Sequence, residues 1–403
     1  MNILYCTNYL SNSTGGSEYV FWLYAKFMAE RGHKVYVVCF NTDEEVREIT
    51  SALGIEVINI APELKPTPFL PRGLCTNMKY ILMGYRKART KLSKVRVDII
   101  HSNTYTPIIL GSMLRNRYGM PHVVTVHDVK SSMDFPFIYQ IFYEVEPSHK
   151  VTLIKSRLSM RGERLLYRYA KIDAIVVPSF KTKHDIEKII ERSREHRVVR
   201  VIPNGIDLIQ YYKVVDEGDI TYDDLTILYV GRLTFYKNLR TVLLALKTVR
   251  RVHPEVKFLI VGSGPASREY LYLIRRLGLE GNVMMLGSVS HEEKVRLIAK
   301  SLFVVYPSIF EGFGITILEA WALKKPVIVS AISPLKDIVD HLINGIHVSP
   351  FKIKAWHEAI ISLIEDVKFA KQLGENGFKK VLSEYDYKKV LRNLERLYER
   401  LAT

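Results

Sequence analysis

Short apolar runs rich in β-branched residues alternate with segments of helical period almost from one end of the chain to the other. This is the pattern of parallel sheets covered by helices on both faces, and it leaves little room for any other fold class. The runs 2–7, 34–40, 56–60, 98–101, 122–126, 174–178 and 198–202 read as the strands of one Rossmann-like domain. After Pro203-Asn204-Gly205 a polar stretch carries Asp216, Glu217, Asp219, Asp223 and Asp224 and reads as linker or hinge surface. The alternation then restarts, with strands expected at 226–230, 256–261, 283–286, 303–306 and 326–330. The expected architecture is α/β: two doubly wound, parallel-sheet domains facing a cleft, one over 1–203 and one over 204–386. A last helix near 387–401 follows after the second set of strands is used up, so 387–403 is expected to cross back onto the first domain.

Ligands of such sheets bind at the carboxyl ends of the strands, so motifs there carry the functional reading. Gly15-Gly16 lies between the first strand and a helix expected over 18–31, where bare backbone N–H groups can approach a phosphate. A plain strand-to-helix turn explains that glycine pair equally well. His127-Asp128 ends the strand 122–126; a structural histidine and a polar site role weigh about equally there. Gly231-Arg232-Leu233-Thr234-Phe235-Tyr236-Lys237-Asn238 places two cations beyond a buried strand, a planar fork and a point charge suited to a diphosphate. The bland alternative is a pair of solvated loop cations; as loop residues, both are expected to be replaceable by Ala without loss of folding. Gly262-Ser263-Gly264-Pro265 resembles the start of a dinucleotide fingerprint, but Ser267 stands where its third glycine belongs.

Glu311 and Glu319 flank Gly312 and Gly314 ahead of a helix expected over 315–323. In one continuous helix their backbones would stand roughly 12 Å apart at about 1.5 Å per residue, beyond the separation of a glycosidase pair. The better arrangement puts Glu311 in a loop toward a sugar and Glu319 inside the helix toward ribose hydroxyls. The N–H groups of Gly314, Ile315 and Thr316 would then face a phosphate.

The chain carries 58 Lys and Arg against 42 Asp and Glu, a formal charge of +16 that asks for an anionic partner. The stretch 65–96 holds Lys and Arg without a single acid, interleaved with Phe69, Leu70, Met78, Leu82 and Met83, which suits an anionic membrane surface. The nine uncharged residues 135–143 suit an acceptor channel. No motif of an RNA- or DNA-binding module accompanies the charge, so nucleic acid is not expected. Three widely spaced cysteines without a C-x-x-C exclude a disulfide framework or zinc site of ordinary spacing and fit a reducing cytoplasm. The N-terminus lacks a basic region before its apolar residues, so no signal peptide is expected, and no run is long and apolar enough to span a bilayer.

Taken together these residues resemble the retaining GT-B glycosyltransferases of the group-1 (family 4) type. The marks are Gly15 and Gly16, His127, the Gly-Arg-Leu-x-x-x-Lys-Asn motif at 231–238 and the Glu-x7-Glu motif at 311–319. Weaker marks are the crossing at 201–207 with Asn204 and the turn Gly262, Gly264, Pro265. The resemblance implies transfer of a sugar from a UDP- or GDP-linked donor to an acceptor hydroxyl, with no cofactor and no metal. It implies that Arg232 and Lys237 hold the diphosphate, Glu311 the sugar and Glu319 the ribose, and that His127 contacts the sugar near the reacting bond. Gly16 and Gly314 to Thr316 would complete the phosphate site, and Val289 and Lys294 would flank the nucleobase. The expected acceptor is a glycan, lipid-linked or otherwise membrane-held, and the expected place is the cytoplasm, peripheral on the inner face of the membrane. Two other readings stay open: an NAD(P)-dependent oxidoreductase using Gly262 and Gly264, and the same transfer onto a soluble acceptor. The chain has no Asp-x-Asp, the carboxylate pair that would suit a metal-bound diphosphate. EDTA is therefore expected to leave most turnover intact, and complete loss restored by magnesium or manganese would overturn this reading.

Overall fold

The computed structural model describes residues 1–12, 15–61, 74–133, 150–191, 197–216 and 225–402. The aromatic strip 135–143, residues 65–73 of the basic stretch and most of the acidic linker lie outside the described residues. The chain divides into two compact units: one takes in Met1–Ser132, Thr152–Gly205 and Tyr387–Thr403, and the other is built on Ile206–Asp386.

The first unit carries strands β1 (Asn2–Cys6), β2 (Tyr9–Leu10), β3 (Lys34–Cys39), β4 (Asn41–Thr42), β5 (Glu56–Asn59), β6 (Ile99–Ser102), β7 (His122–Thr125), β8 (Ala174–Val177) and β9 (Val198–Val201). Its main sheet is parallel throughout in the order β5-β3-β1-β6-β7-β8-β9, with β2 and β4 forming a separate two-stranded ribbon. The helices are α1 (Gly16–Glu30), α2 (Glu44–Ala52), α3 (Leu74–Leu92), α4 (Thr106–Tyr118), α5 (Lys150–Tyr169) and α6 (Phe180–Ile190). Central strands such as β8, Ala-Ile-Val-Val, are buried at every position, as strands covered on both faces must be. The strands end a residue or so earlier than their apolar runs. Thr7 N–H still bonds the Val38 carbonyl and Phe40 N–H the Asn8 carbonyl, but both backbones have left the ladder.

The second unit holds α7 (Leu208–Asp216), α8 (Leu239–Val252), α9 (Ser267–Arg276), α10 (His291–Lys300), α11 (Ile315–Ala322), α12 (Leu335–Ile338), α13 (Ile353–Glu365) and α14 (Val367–Glu384). They cover a parallel sheet of β10 (Thr226–Val230), β11 (Lys257–Val261), β12 (Val283–Gly287), β13 (Phe303–Tyr306), β14 (Val327–Ser330) and β15 (Gly345–Val348), in the order β12-β11-β10-β13-β14-β15. The edge strand β15 was not expected: Gly-Ile-His-Val holds only two apolar residues and gives almost no periodic signal. In each sheet the chain order reverses beside the first strand, between β1 and β6 and between β10 and β13. A doubly wound sheet opens its ligand crevice at this switch point.

The last helix, α15 (Tyr387–Ala402), belongs to the first unit. Tyr387, Val390, Leu391, Leu394, Leu397 and Tyr398 fall on one face at helical spacing and are buried, against α1 and β6. Below that face Tyr398 Oη is hydrogen-bonded to His101 Nδ1 and lies 3.2 Å from Tyr5 Oη, while His101 Nε2 lies 2.8 Å from Thr125 Oγ1. Burial, aided by His122 and His127, holds His101 well below the usual histidine range, so it is neutral. At the rim Glu395 accepts from His33 Nε2 at 2.9 Å and Arg31 Nε at 3.2 Å. Burial alone would raise the Glu395 pKa, but the bonds from His33 and Arg31 outweigh it and keep it below the ordinary 4.5. The stability from a depressed carboxyl is present above its unfolded pKa and is lost as pH falls through the folded one. Glu395→Gln is expected to cost about 1 kcal/mol at pH 7, a Tm drop of about 2–4 °C. Calorimetry across pH should show the gap to wild type closing as pH falls below 4.5; a gap independent of pH would refute the assignment.

Candidate functional site

At the switch point of the first unit, Thr7, Asn103 and His127 follow β1, β6 and β7. Thr7 Oγ1 donates to the Tyr9 carbonyl at 3.1 Å and so accepts from Asn103 Nδ2 at 3.2 Å. That fixes the Asn103 amide with Oδ1 toward His127 Nε2, 3.1 Å away, and Thr104 N–H donates to the same oxygen at 2.8 Å. Because Oδ1 can only accept, Nε2 carries the proton and Nδ1 is left as an acceptor. Burial lowers the His127 pKa to about 4, against a small opposing pull from Asp128, so the ring is neutral at pH 7.

The loop after His127 is held by a carboxylate. Glu163 of α5, 4% exposed, accepts from Ser131 N–H at 2.6 Å, Lys130 N–H at 3.3 Å and Tyr105 Oη at 3.3 Å. Tyr105 sits at φ 66°, a conformation a bulky residue adopts only under constraint. Glu163 thus ties the turn beyond Asn103 to the turn beyond His127. Gly15 precedes α1 in extended backbone, and Gly16 is exposed at its first turn. A Cβ on Gly15 would come 2.8 Å from Glu18 Oε2, so an anion approaching this helix end also meets a carboxylate.

In the second unit the loops after β10 and β13 meet. Lys237 closes the 3-10 turn Phe235–Lys237, and its ammonium is hydrogen-bonded to Glu311 Oε1, with Tyr306 Oη 3.3 Å away. It also lies 5.0 Å above the Tyr306 ring and 5.5 Å above that of Tyr236. Lys237 is only 8% exposed, so the bland alternative of a solvated loop cation does not hold for it. Burial disfavours its charge, but Glu311 and the tyrosines outweigh burial and hold its pKa well above the ordinary lysine value. Asn238 follows at φ 53° and crosslinks the loops: its Nδ2 donates to the carbonyls of Pro350 at 2.7 Å and Pro307 at 3.2 Å. Arg232 is half-buried in the loop after β10, and its carbonyl accepts from Tyr229 Oη at 3.2 Å.

Helix α11 starts at Gly314, φ 119°, with no side chain capping its first N–H groups, which include those of Ile315 and Thr316. Glu319 lies just over one turn inside it, 5% exposed. Lys294 Nζ of α10 donates to Glu319 Oε1 at 2.6 Å and Tyr211 Oη of α7 to the same oxygen at 2.9 Å. Burial would raise the Glu319 pKa; Lys294, His291 and Tyr211 outweigh it and keep the group a carboxylate. Both glutamates of the motif are therefore held on Oε1 by a lysine. The bonds from Lys237, Lys294 and Tyr211 all leave Oε2 of their glutamate untouched, and the two side chains keep 10% and 7% of their exposure.

Gly262 and Gly264 have a packing role. A Cβ at either would lie 2.0 Å from the Gly231 carbonyl oxygen or 2.1 Å from that of Leu233. Leu233 N–H bonds the Ser263 carbonyl and Ala266 N–H that of Leu233, so these glycines let the second loop lie flat under the Arg232 loop. Pro265 is exposed beyond them and Val289 is half-buried after β12. Asn204 is buried in the first unit with its Oδ1 unpartnered among the described residues. The sequence reading missed Asn103, Tyr211, Tyr306 and Glu163. Asn103 stands at a strand's carboxyl end as His127 does and could have been found that way; the others carry no motif. Among the described residues no group of three His, Cys, Asp or Glu could hold a metal.

Residues 215–380 match the family described as glycosyl transferases group 1, and residues 14–210 match glycosyltransferase family 4. The chain is 26% identical over 385 residues to the uncharacterized glycosyltransferase MJ1607 of Methanocaldococcus jannaschii, spanning 93% of this chain and 92% of that protein. Its fold is similar to that of sucrose-phosphate synthase from Thermosynechococcus elongatus, at TM-score 0.76 and 21% identity, covering 100% and 99% of the two chains. It is also similar to Anabaena Alr3699/HepE in complex with UDP-glucose, at TM-score 0.72 and 20% identity over 99% and 100%. Two parallel-sheet units with these motifs at their switch points, matched along most of their length by the two family descriptions, place the chain among the group-1 (family 4) glycosyltransferases of GT-B fold.

Proposed function

We propose that this glycosyltransferase moves a sugar from a nucleoside diphosphate sugar, UDP- or GDP-linked, to an acceptor hydroxyl, with retention at the anomeric carbon and without an essential metal. The observation that carries the reading is the pair of clamped glutamates, each offering one oxygen beside the uncapped start of α11. Glu311 receives sugar hydroxyls and Glu319 the ribose. Arg232, Lys237 and the N–H groups of Gly314, Ile315 and Thr316 receive the diphosphate. In the reaction the anomeric carbon–oxygen bond to phosphate breaks as the acceptor oxygen bonds the same face. The acceptor proton passes to the departing diphosphate, whose charge those cations and dipoles stabilise. The neutral His127, with Nδ1 as acceptor, contacts the sugar. HepE, similar in fold, binds UDP-glucose, which supports a nucleotide-linked donor. With Gly262 and Gly264 taken up by loop packing, the oxidoreductase reading has lost its motif.

A membrane-held acceptor is supported by two helices of the first unit. Both connect strands in the same direction along the sheet, β5 to β6 and β7 to β8, so right-handed connections put both on one face. On α3 Met78, Leu82, Arg86 and Arg89 form an outward stripe; on α5 Leu158, Arg161, Leu165 and Tyr169 form another. Helix α3 has no acid, and the one acid of α5, Glu163, is turned inward. Lys87 and Lys91 bond Asn59 and Glu56 and Lys79 is half-buried, which leaves Arg86 and Arg89 as the exposed cations of α3 to test. No helix among the described residues is long and apolar enough to cross a membrane.

A thermal-shift panel of UDP-, GDP- and ADP-sugars tests the donor class, since a ligand of the native state raises Tm by mass action; a flat panel would count against it. Arg232→Ala should lower turnover about 10²- to 10³-fold with folding retained. Lys237→Ala should do the same and also lower stability, because it strands the Glu311 charge; near-normal rates at saturating donor would sink the assignment. Glu311→Gln should chiefly lower kcat and Glu319→Gln chiefly raise the donor KM, and the reverse split would mean their roles are exchanged. Vesicles of acidic lipid should co-sediment the protein at low salt, less so after Leu82, Arg86, Leu158 and Arg161 become Ser; indifference to such vesicles would favour a soluble acceptor.

A further inference from the structure

The two bonds to Glu319 differ in kind. Lys294 brings a compact charge with three rotatable donors, which neutralises the carboxylate but fixes no direction. Tyr211 brings one hydrogen on a rigid ring that is wholly buried and comes from α7, 108 positions earlier in the chain. The ring of His291 meets Tyr211 edge-on, with centroids 5.4 Å apart at 76°. Both nitrogens of His291 are buried without a partner among the described residues. Both bonds to Glu319 thus land on Oε1, and a buried ring holds it there, so Oε2 is the oxygen they leave available to a ligand.

We propose that Tyr211 is a positioning residue for donor recognition: by holding Oε1 of Glu319 it aims Oε2 at the ribose hydroxyls and so sets the preference for a ribonucleotide over a deoxyribonucleotide donor. The proposal rests on the reading of Glu319 as the ribose contact. A carboxylate free to rotate presents either oxygen and adapts to a missing hydroxyl. A carboxylate with one oxygen already taken leaves Oε2 unsatisfied when the ligand lacks its partner, and such a site rejects the analogue.

The test compares wild type, Tyr211→Phe and Glu319→Gln by calorimetric binding of UDP, GDP and ADP, each beside its 2′-deoxy form. Tyr211→Phe removes one oxygen atom and keeps the ring against His291, and a Tm close to wild type checks that the fold persists. Wild type should favour the ribose form of its nucleotide by about 10-fold or more. In Tyr211→Phe that preference should shrink to about 3-fold or less, chiefly because ribonucleotide binding weakens, while deoxynucleotide binding changes little. A general structural defect would instead weaken both forms alike and leave the ratio unchanged, which would overturn the proposal. If Glu319→Gln abolishes the preference and Tyr211→Phe does not, Tyr211 is excluded as the positioning group. If neither variant alters the ratio, the reading of Glu319 at the ribose fails first. If wild type binds none of the three ribonucleotides, the donor reading itself fails and the proposal with it.

Discussion

An ammonium taken out of water costs several kcal/mol unless a carboxylate meets it, and the second unit answers that demand twice. Lys237 is nearly buried and survives as a cation because Glu311 lies against it; Glu319 is nearly buried and survives as an anion because Lys294 does. Each couple joins elements distant in sequence, the loop after β10 to the loop after β13, and α10 to α11. The couples therefore do structural work even with no ligand bound, and they keep two charges of each sign at the carboxyl ends of the strands. A site assembled this way is electrostatically balanced in itself, its charges fixed in place with little left to reorganise.

The backbone around these couples is shaped for close approach. Gly262 and Gly264 let one loop lie under another, and Asn238, in a left-handed conformation, stitches the loops after β10, β13 and β15 together through its amide. In the first unit a chain of small polar groups does the corresponding work, running from Thr7 through Asn103 to the ring of His127. This relay contains no charged group, and the outcome is a fixed tautomer of a neutral imidazole. The two switch points thus use different physics, paired ions in one and a directional hydrogen-bond relay in the other.

Most of this architecture was legible in the sequence because parallel sheets bury whole strands, and runs such as Ala174–Val177 or Thr226–Val230 have no other home. The boundaries were legible to a residue or so. The strand Gly345–Val348 was not, because a four-residue edge strand with one glycine and one histidine has no period to detect. Among site residues, Arg232, Lys237, Glu311 and Glu319 stood out by motif and strand-end position, but their burial did not. Whether a lysine after a strand is solvated or clamped depends on a carboxylate 74 positions away. Tyr211 and Glu163 were invisible for the same reason: a tyrosine in a stretch that reads as linker and a glutamate in a basic helix gain meaning only when tertiary packing brings a partner to them.

The first unit is closed by residues that the ribosome makes only after the whole of Ile206–Asp386. Until α15 emerges, the surface it covers on α1 and β6 exposes His101, and the hydroxyl of Tyr5 lacks its neighbour Tyr398. Domains in general fold in the order of their synthesis, yet here the amino-terminal unit must wait, with an open apolar groove, while the whole of Ile206–Asp386 is translated. A nascent chain of this design has a long interval in which the first of these two sheets is unfinished. A fragment stopping at Gly205 would never leave that state.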